Sequence, residues 1–286
     1  MIRCCLLGLG LAVCAQSGCA TPAPPRPCPK TTLAPGLPET VDPRQIDGDA
    51  RAELPPPLPW SGKSRSLVVE AGHPWVTPAE ASGLRRTPRY AETLAYLRRL
   101  AEASPEVELI EIGKSAQGRP LMMAVVSADR AFSPEALRGA GKPVALVQGG
   151  LHAGEIDGKD AGLMLLRDLT VRPVRRALLE KASLLFIPVL NPDGHERASR
   201  FSRSNQRGPE EMGWRTNARN LNLNRDFSKL QTPEARAVVT VLKEWDPQIW
   251  IDVHVTDGVD YQYDVTYGFN GPHGHSPRIA TWLTKS

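Results

Sequence analysis

Residues 147–158, VQGGLHAGEIDG, place a histidine and a glutamate three positions apart, just after an apolar run and two glycines. A turn can aim side chains at that spacing toward one point. Ala153 and Gly154 between them are small and leave space for an approaching ligand. Catalytic zinc takes three protein ligands from histidine and carboxylate and keeps one position for water. His152 and Glu155 supply two such groups, and His254 is the candidate third. Asp252, two positions earlier on the same predicted strand, points the same way as His254. Two histidines and a glutamate would hold one Zn2+ per chain and bring the pKa of a bound water toward neutrality. Taken alone, His-x-x-Glu is a weak signal. A solvated loop histidine beside a glutamate favoured at a helix N-terminus gives the same letters.

The surrounding elements decide whether these residues can meet. Residues 87–104 have apolar positions Tyr90, Leu94, Leu97 and Leu100 at helical spacing. VELIEIG and PLMMAVVS read as strands joined by a hairpin-type turn in SAQGRP. KPVALVQGG, ASLLFIPVLNPDG and QIWIDVHV are continuously apolar, as strands covered on both faces would be. DGKDAGLMLLRDLT, with Leu163, Leu166 and Leu169 on one side, and TPEARAVVTVLKEW read as helices, and SPRIATWLTKS begins another. Alternating helices and buried strands predict an α/β fold with a mixed, largely parallel central sheet and helices on both faces. Ligands of such sheets bind beyond the carboxyl ends of the strands. His152 follows one strand and His254 ends another, so both are expected at one edge.

The totals exclude some partners. The 286 residues carry 35 basic and 31 acidic side chains, and no basic cluster with interleaved aromatics, so nucleic acid is not expected. All five cysteines, Cys4, Cys5, Cys14, Cys19 and Cys28, precede residue 29, so the fold needs no disulfide. The apolar run from Cys4 to Ala15 is too short to span a bilayer and fits the centre of an export signal. Ser17 and Gly18 before Cys19 resemble a bacterial lipoprotein signal, although Gln16 stands where an aliphatic residue is usual. Lipidation of Cys19 would tether the protein to a membrane, placing it in the periplasm or on the outer membrane. The expected organisation is a signal over residues 1–19, a stiff proline-rich linker over 20–75 and a catalytic domain over 76–286.

Five motifs in order give the chain a family likeness. HAGE, NPDGHE, WRTNARNLNLNRDF and DVHV, preceded by IGKSAQGRPL, resemble the zinc metallocarboxypeptidases of the carboxypeptidase A type over roughly residues 85–286. The resemblance implies that His152, Glu155 and His254 hold zinc and that Arg215 stabilises the oxyanion of peptide hydrolysis. It implies that Asn224 and Arg225 grip the free C-terminal carboxylate of a peptide or peptide-like substrate, which a guanidinium fork suits. Related zinc deacylases or amidases, and a non-catalytic protein binding C-terminal carboxylates, are alternatives of the same pocket.

Three departures from the family pattern stand out. Gly154 occupies a place where many relatives have a substrate-binding arginine. Asn222 replaces an aspartate that orients the first zinc histidine; its amide oxygen can still accept that hydrogen bond, with less effect on basicity. No glutamate follows His254, where the family's general base would lie; Asp257, Asp260 and Asp264 are the carboxylates there, and none has the family's context. The expectation is a catalytic domain cut short, lacking its last strand and helices, that binds zinc with little or no turnover of its own. His273 and His275 form a rival pair read as loop residues, and His195 and His73 are read as non-ligands.

Overall fold

The computed structural model describes residues 62–203, 205–206, 208–259, 265–268 and 276–285. Cys19, the signal-like segment, the linker up to residue 61, Asp260, Tyr261, Tyr263, Asp264, His273 and His275 lie outside the described residues.

Five strands, β1 (Val107–Lys114), β2 (Pro120–Val126), β3 (Val144–Gln148), β4 (Ser183–Ile187) and β5 (Ile249–Asp252), form one sheet in the order β1-β2-β4-β3-β5. The β1–β2 and β2–β4 pairs are antiparallel, and β3 pairs in parallel with both β4 and β5. The helices are α1 (Pro78–Ala81), α2 (Tyr90–Ala103), α3 (Pro134–Ala140), α4 (Asp157–Leu169), α5 (Pro192–Glu196), α6 (Pro233–Trp245) and α7 (Pro277–Lys285). None of the described helices is long and apolar enough to cross a membrane.

The period-two alternation of a strand builds two cores, one on each face of the sheet. Ala124, Val126, Leu184 and Phe186 face Leu97 and Leu100 of α2 and Leu163 and Leu166 of α4. Met123, Val125, Leu185 and Ile187, one position out of step, face Leu137 of α3 and Val238 and Val241 of α6. Gly162 brings α4 close to the sheet: a Cβ there would lie 2.1 Å from Cζ of Phe186. Packing begins upstream of residue 76. Val69 is buried and its N–H donates to Glu80, while the Arg167 guanidinium donates to the Leu67 carbonyl and to Glu80.

The two motif segments IGKSAQGRPL and NPDGHE meet. Asp193 is fully buried, and its carboxylate accepts from Ser115 Oγ at 2.8 Å, from the Gln117 N–H at 3.0 Å and from Arg119 at 2.6 Å. The turn of the β1–β2 hairpin is thereby fastened to α5.

One strand differs from the sequence reading. QIWIDVHV does contain β5, but it is not covered on both faces: Ile249, Trp250 and Ile251 are exposed. An apolar run signals burial only if neighbours cover the strand, and among the described residues β5 pairs with β3 alone. Phe227 gives partial cover, edge-on to Trp250 with ring centroids 5.4 Å apart.

Candidate metal centre

The parallel β3–β5 register sets Gln148 opposite Asp252. His152 follows four residues after Gln148 and His254 two after Asp252, so neighbouring strand ends deliver both histidines to one edge. Between β3 and His152 the chain turns through the two glycines. Gly150 has φ +59°, a left-handed conformation that glycine adopts without strain. A Cβ on Gly149 would come within 3.0 Å of the Pro188 carbonyl oxygen and the Lys159 nitrogen. The Glu155 N–H donates to the His152 carbonyl at 2.9 Å, closing the turn that carries both side chains.

The three predicted ligands do converge. Histidine nitrogens and a carboxylate oxygen of His152, Glu155 and His254 all lie within 4.8 Å of one another and could hold a metal ion. His152 and Glu155 are buried, at 3% and 2% exposed, whereas the His254 side chain is 32% exposed. The imidazole rings are tilted against each other with centroids 4.9 Å apart. Both turn the same atom inward: His152 Nδ1 is 3.0 Å from Glu155 Oε1, and His254 Nδ1 is 2.8 Å from Glu155 Oε2.

The outer nitrogens have acceptors of their own. His152 Nε2 lies 3.0 Å from Asn222 Oδ1, which also accepts the Asn224 N–H at 3.0 Å. That backbone donor fixes which end of the amide faces the ring, so His152 Nε2 must be the donor. His254 Nε2 lies 2.9 Å from Asp252 Oδ2, a carboxylate oxygen. Each ring therefore has an acceptor on both sides, and a neutral imidazole has one proton to give. With that proton on Nε2, each Nδ1 presents a lone pair toward the Glu155 carboxylate. A divalent cation between the three groups satisfies all of them, and the donor set, two imidazoles and one carboxylate, is one that zinc takes.

Glu155 is buried and takes polar contacts from several sides. Burial alone would raise its carboxyl, but the close approach of the His152 and His254 imidazoles and the hydrogen bond from the Val255 N–H outweigh this and hold it well below the usual carboxylate range. Its Oε1 also receives Arg203 at 3.0 Å and Arg215 at 3.4 Å. Hydrogen bonds to Asp252 first, then to Glu155, raise the His254 imidazole to about 9, so the proton on Nδ1 is the one that a bound cation would displace.

Arg215 is thus brought to the cluster, and Asn222 to His152. Asn191, which caps α5, donates from Nδ2 to the Arg215 carbonyl at 3.4 Å and ties the NPDG turn to this wall. Asn224 and Arg225 stand on the short turn Leu223–Arg225 that Asn222 caps. The Arg225 guanidinium is exposed and donates to the Asn224 carbonyl at 2.8 Å. Asp257 is exposed, 3.3 Å from Arg203 and 3.6 Å from Arg215. His195 is buried against Glu196, and His73 Nδ1 accepts the Trp75 N–H; neither belongs to the cluster. A cavity of about 800 Å³ lined by Arg85, Arg89, His195, Glu210 and Glu211 contains none of the three ligands.

Arg203 was not among the residues read from the sequence. Its buried side chain lies over Gly154: a Cβ at 154 would be 2.7 Å from Arg203 Cγ and 2.5 Å from the Gly213 carbonyl oxygen. Gly154 leaves no room for an arginine of its own because Arg203 fills that space from another segment. The glycine was the available signal, but a glycine does not say which side chain lies across it.

Known proteins match this chain in sequence and in fold. The profile of the zinc carboxypeptidase family covers residues 93–278. Carboxypeptidase 2 of Trichophyton rubrum is 31% identical over 172 residues, which are 58% of this chain and 28% of the relative. Carboxypeptidase Z of Homo sapiens is 30% identical over 160 residues, 53% of this chain and 23% of the relative. A metallo-carboxypeptidase from Pseudomonas aeruginosa, solved in complex with (2-guanidinoethylmercapto)succinic acid, shares the fold with a TM-score of 0.52 at 24% identity, over 69% of this chain and 48% of that one. Carboxypeptidase A from Helicoverpa armigera gives 0.51 at 23% identity, over 70% and 51%. The chain spans less than a third of these curated relatives and about half of these solved chains.

Proposed function

The chain belongs to the zinc carboxypeptidase family, and from that premise we propose that it hydrolyses peptide bonds at the C-terminal end of a peptide, with one zinc held by His152, Glu155 and His254. The observation that carries this reading is the pair of inward Nδ1 atoms on one carboxylate, each with its outer nitrogen already committed to an acceptor. Zinc bound there would supply Lewis acidity to a water and to the scissile carbonyl.

The chain's own residues orient the ligands and the substrate. Asn222 and Asp252 hold the rings so that Nδ1 faces inward. Arg215 keeps a fixed positive charge beside the cluster, where the oxyanion of the attacked carbonyl develops. Asn224 and Arg225 receive the terminal carboxylate of the substrate, and the support for this is their place on the turn capped by Asn222. At the amino terminus, the Ser17-Gly18-Cys19 sequence supports export and a lipid on Cys19, so Cys19→Ala should leave the protein soluble after cell disruption.

The test is zinc content together with end-group preference. His152→Ala should lose stoichiometric zinc, and a peptide with a free C-terminus should be cleaved in preference to its amide. Stoichiometric zinc in the variant would overturn the site. Equal cleavage of the amide would overturn recognition of the chain end.

A further inference from the structure

We propose that Asp252 and Gln148 form a positioning pair that gives the anionic partner of the metal centre to His254, leaving His152 with a neutral one. The inference rests on the reading that His152, Glu155 and His254 hold zinc.

The two histidines look alike from Glu155 and differ behind. His152 Nε2 meets the amide oxygen of Asn222, and His254 Nε2 meets the carboxylate of Asp252 at 2.9 Å. A carboxylate accepting an imidazole N–H leaves more electron density on the opposite nitrogen than an amide does, which makes that ring the stronger ligand. The carboxylate also serves the ring that needs holding. His152 is enclosed by protein, whereas the His254 side chain is part-exposed.

Asp252 is itself held from the sheet interior. Its second oxygen, Oδ1, accepts from Gln148 Nε2 at 2.9 Å. Gln148 is fully buried and is the register partner of Asp252 across the parallel β3–β5 pair. Its amide oxygen has no partner among the described residues, so the hydrogen bond to Asp252 is the side chain's polar connection. A buried glutamine at the end of an otherwise apolar strand costs stability unless its amide has such a task. Here the task is to stop the Asp252 carboxylate from rotating off His254. The chain Gln148, Asp252, His254 thus runs from the sheet to the metal position.

The experiment compares zinc affinity of the full chain and its variants by competition with a chromogenic chelator. Asp252→Asn should weaken zinc about 10–100-fold. Gln148→Leu, which leaves every directly facing group in place, should weaken it in the same direction by a smaller factor. Asn222→Asp added to Asp252→Asn should recover most of the loss by moving the carboxylate to the other ring, a rescue that a merely structural role would not produce. Should Asp252→Asn fail to fold, Gln148→Leu alone still decides, and wild-type affinity in it overturns the pair. Wild-type affinity in Asp252→Asn, or no recovery in the double variant, overturns the pair. Stoichiometric zinc in His152→Ala overturns the zinc centre itself, so the two failures are told apart.

Discussion

Arg203 lies across Gly154, with its Cγ 2.7 Å from where a Cβ at 154 would stand and its guanidinium 3.0 Å from Glu155. A glycine between the two ligands of the turn is therefore a requirement of packing. Gly154→Ala should destabilise the protein by at least about 2 kcal/mol, because the Gly213 carbonyl on the other side is backbone and cannot swing away. Denaturant unfolding checks this, and wild-type stability in the variant would show that the loop yields.

Arg215 faces the same carboxylate from the solvent side. Replacing it with alanine should lower kcat/KM on a C-terminal peptide substrate by about 10²–10³-fold while leaving bound zinc near wild type, as for the loss of one oxyanion donor. A parallel loss of zinc would make Arg215 a support of Glu155 and not a partner of the transition state.

Removing the metal should be felt by the fold, since its ligands come from two strand ends and a turn. At free zinc 100 times Kd, binding adds about 2.7 kcal/mol. Chelation should accordingly lower Tm by several degrees. Calorimetry with and without chelator reads it, and an unchanged Tm would tell against a folded-state zinc site.

Glu196 offers a pH test away from the metal. A hydrogen bond with His195, followed by the Tyr90 N–H against the opposing effect of burial, lowers its carboxyl from about 4.5 to about 2. A carboxylate depressed in the folded state stabilises above its ordinary value and stops doing so as pH falls through the folded value. Its contribution should be about 1–2 kcal/mol at neutral pH, discounted for a side chain that is 30% exposed. The stability difference between wild type and Glu196→Gln should hold down to about pH 4.5 and fade toward pH 2. A difference independent of pH would mean that the carboxylate's charge is not what stabilises.

Gly162→Ala sets two effects against each other. Helix propensity favours alanine by about 1 kcal/mol. The Phe186 ring 2.1 Å from the new Cβ opposes it, and overpacking of a core costs about 1–3 kcal/mol. The variant should be less stable, and a more stable one would mean that the ring has another position to move to.

The helices α2, α4 and α6 and the strands around the centre are legible from period and apolar runs, because burial on a helix or sheet face leaves a repeat in the sequence. His152 and Glu155 are legible as a pair because one turn carries both. His254, 99 positions from Glu155, is legible only through its place at a strand end and through the order of motifs. Arg203 escapes for a different reason: it lies in an irregular segment and reaches Glu155 through a gap that Gly154 leaves open. An apolar run by itself does not tell a covered strand from an exposed one, as β5 shows. Gln148 reads as the polar end of a strand until its register partner is known to be Asp252.

The uneven enclosure of the three ligands has a kinetic side. His152 and Glu155 are buried, whereas the His254 side chain is 32% exposed and stands two residues after β5. Segments with few buried contacts open locally at lower free energy than the core does. Release of the ion should then begin with His254, while His152 and Glu155 stay enclosed. The rate of zinc exchange becomes a clock for that one segment, and exchange that merely tracks global unfolding would refute this.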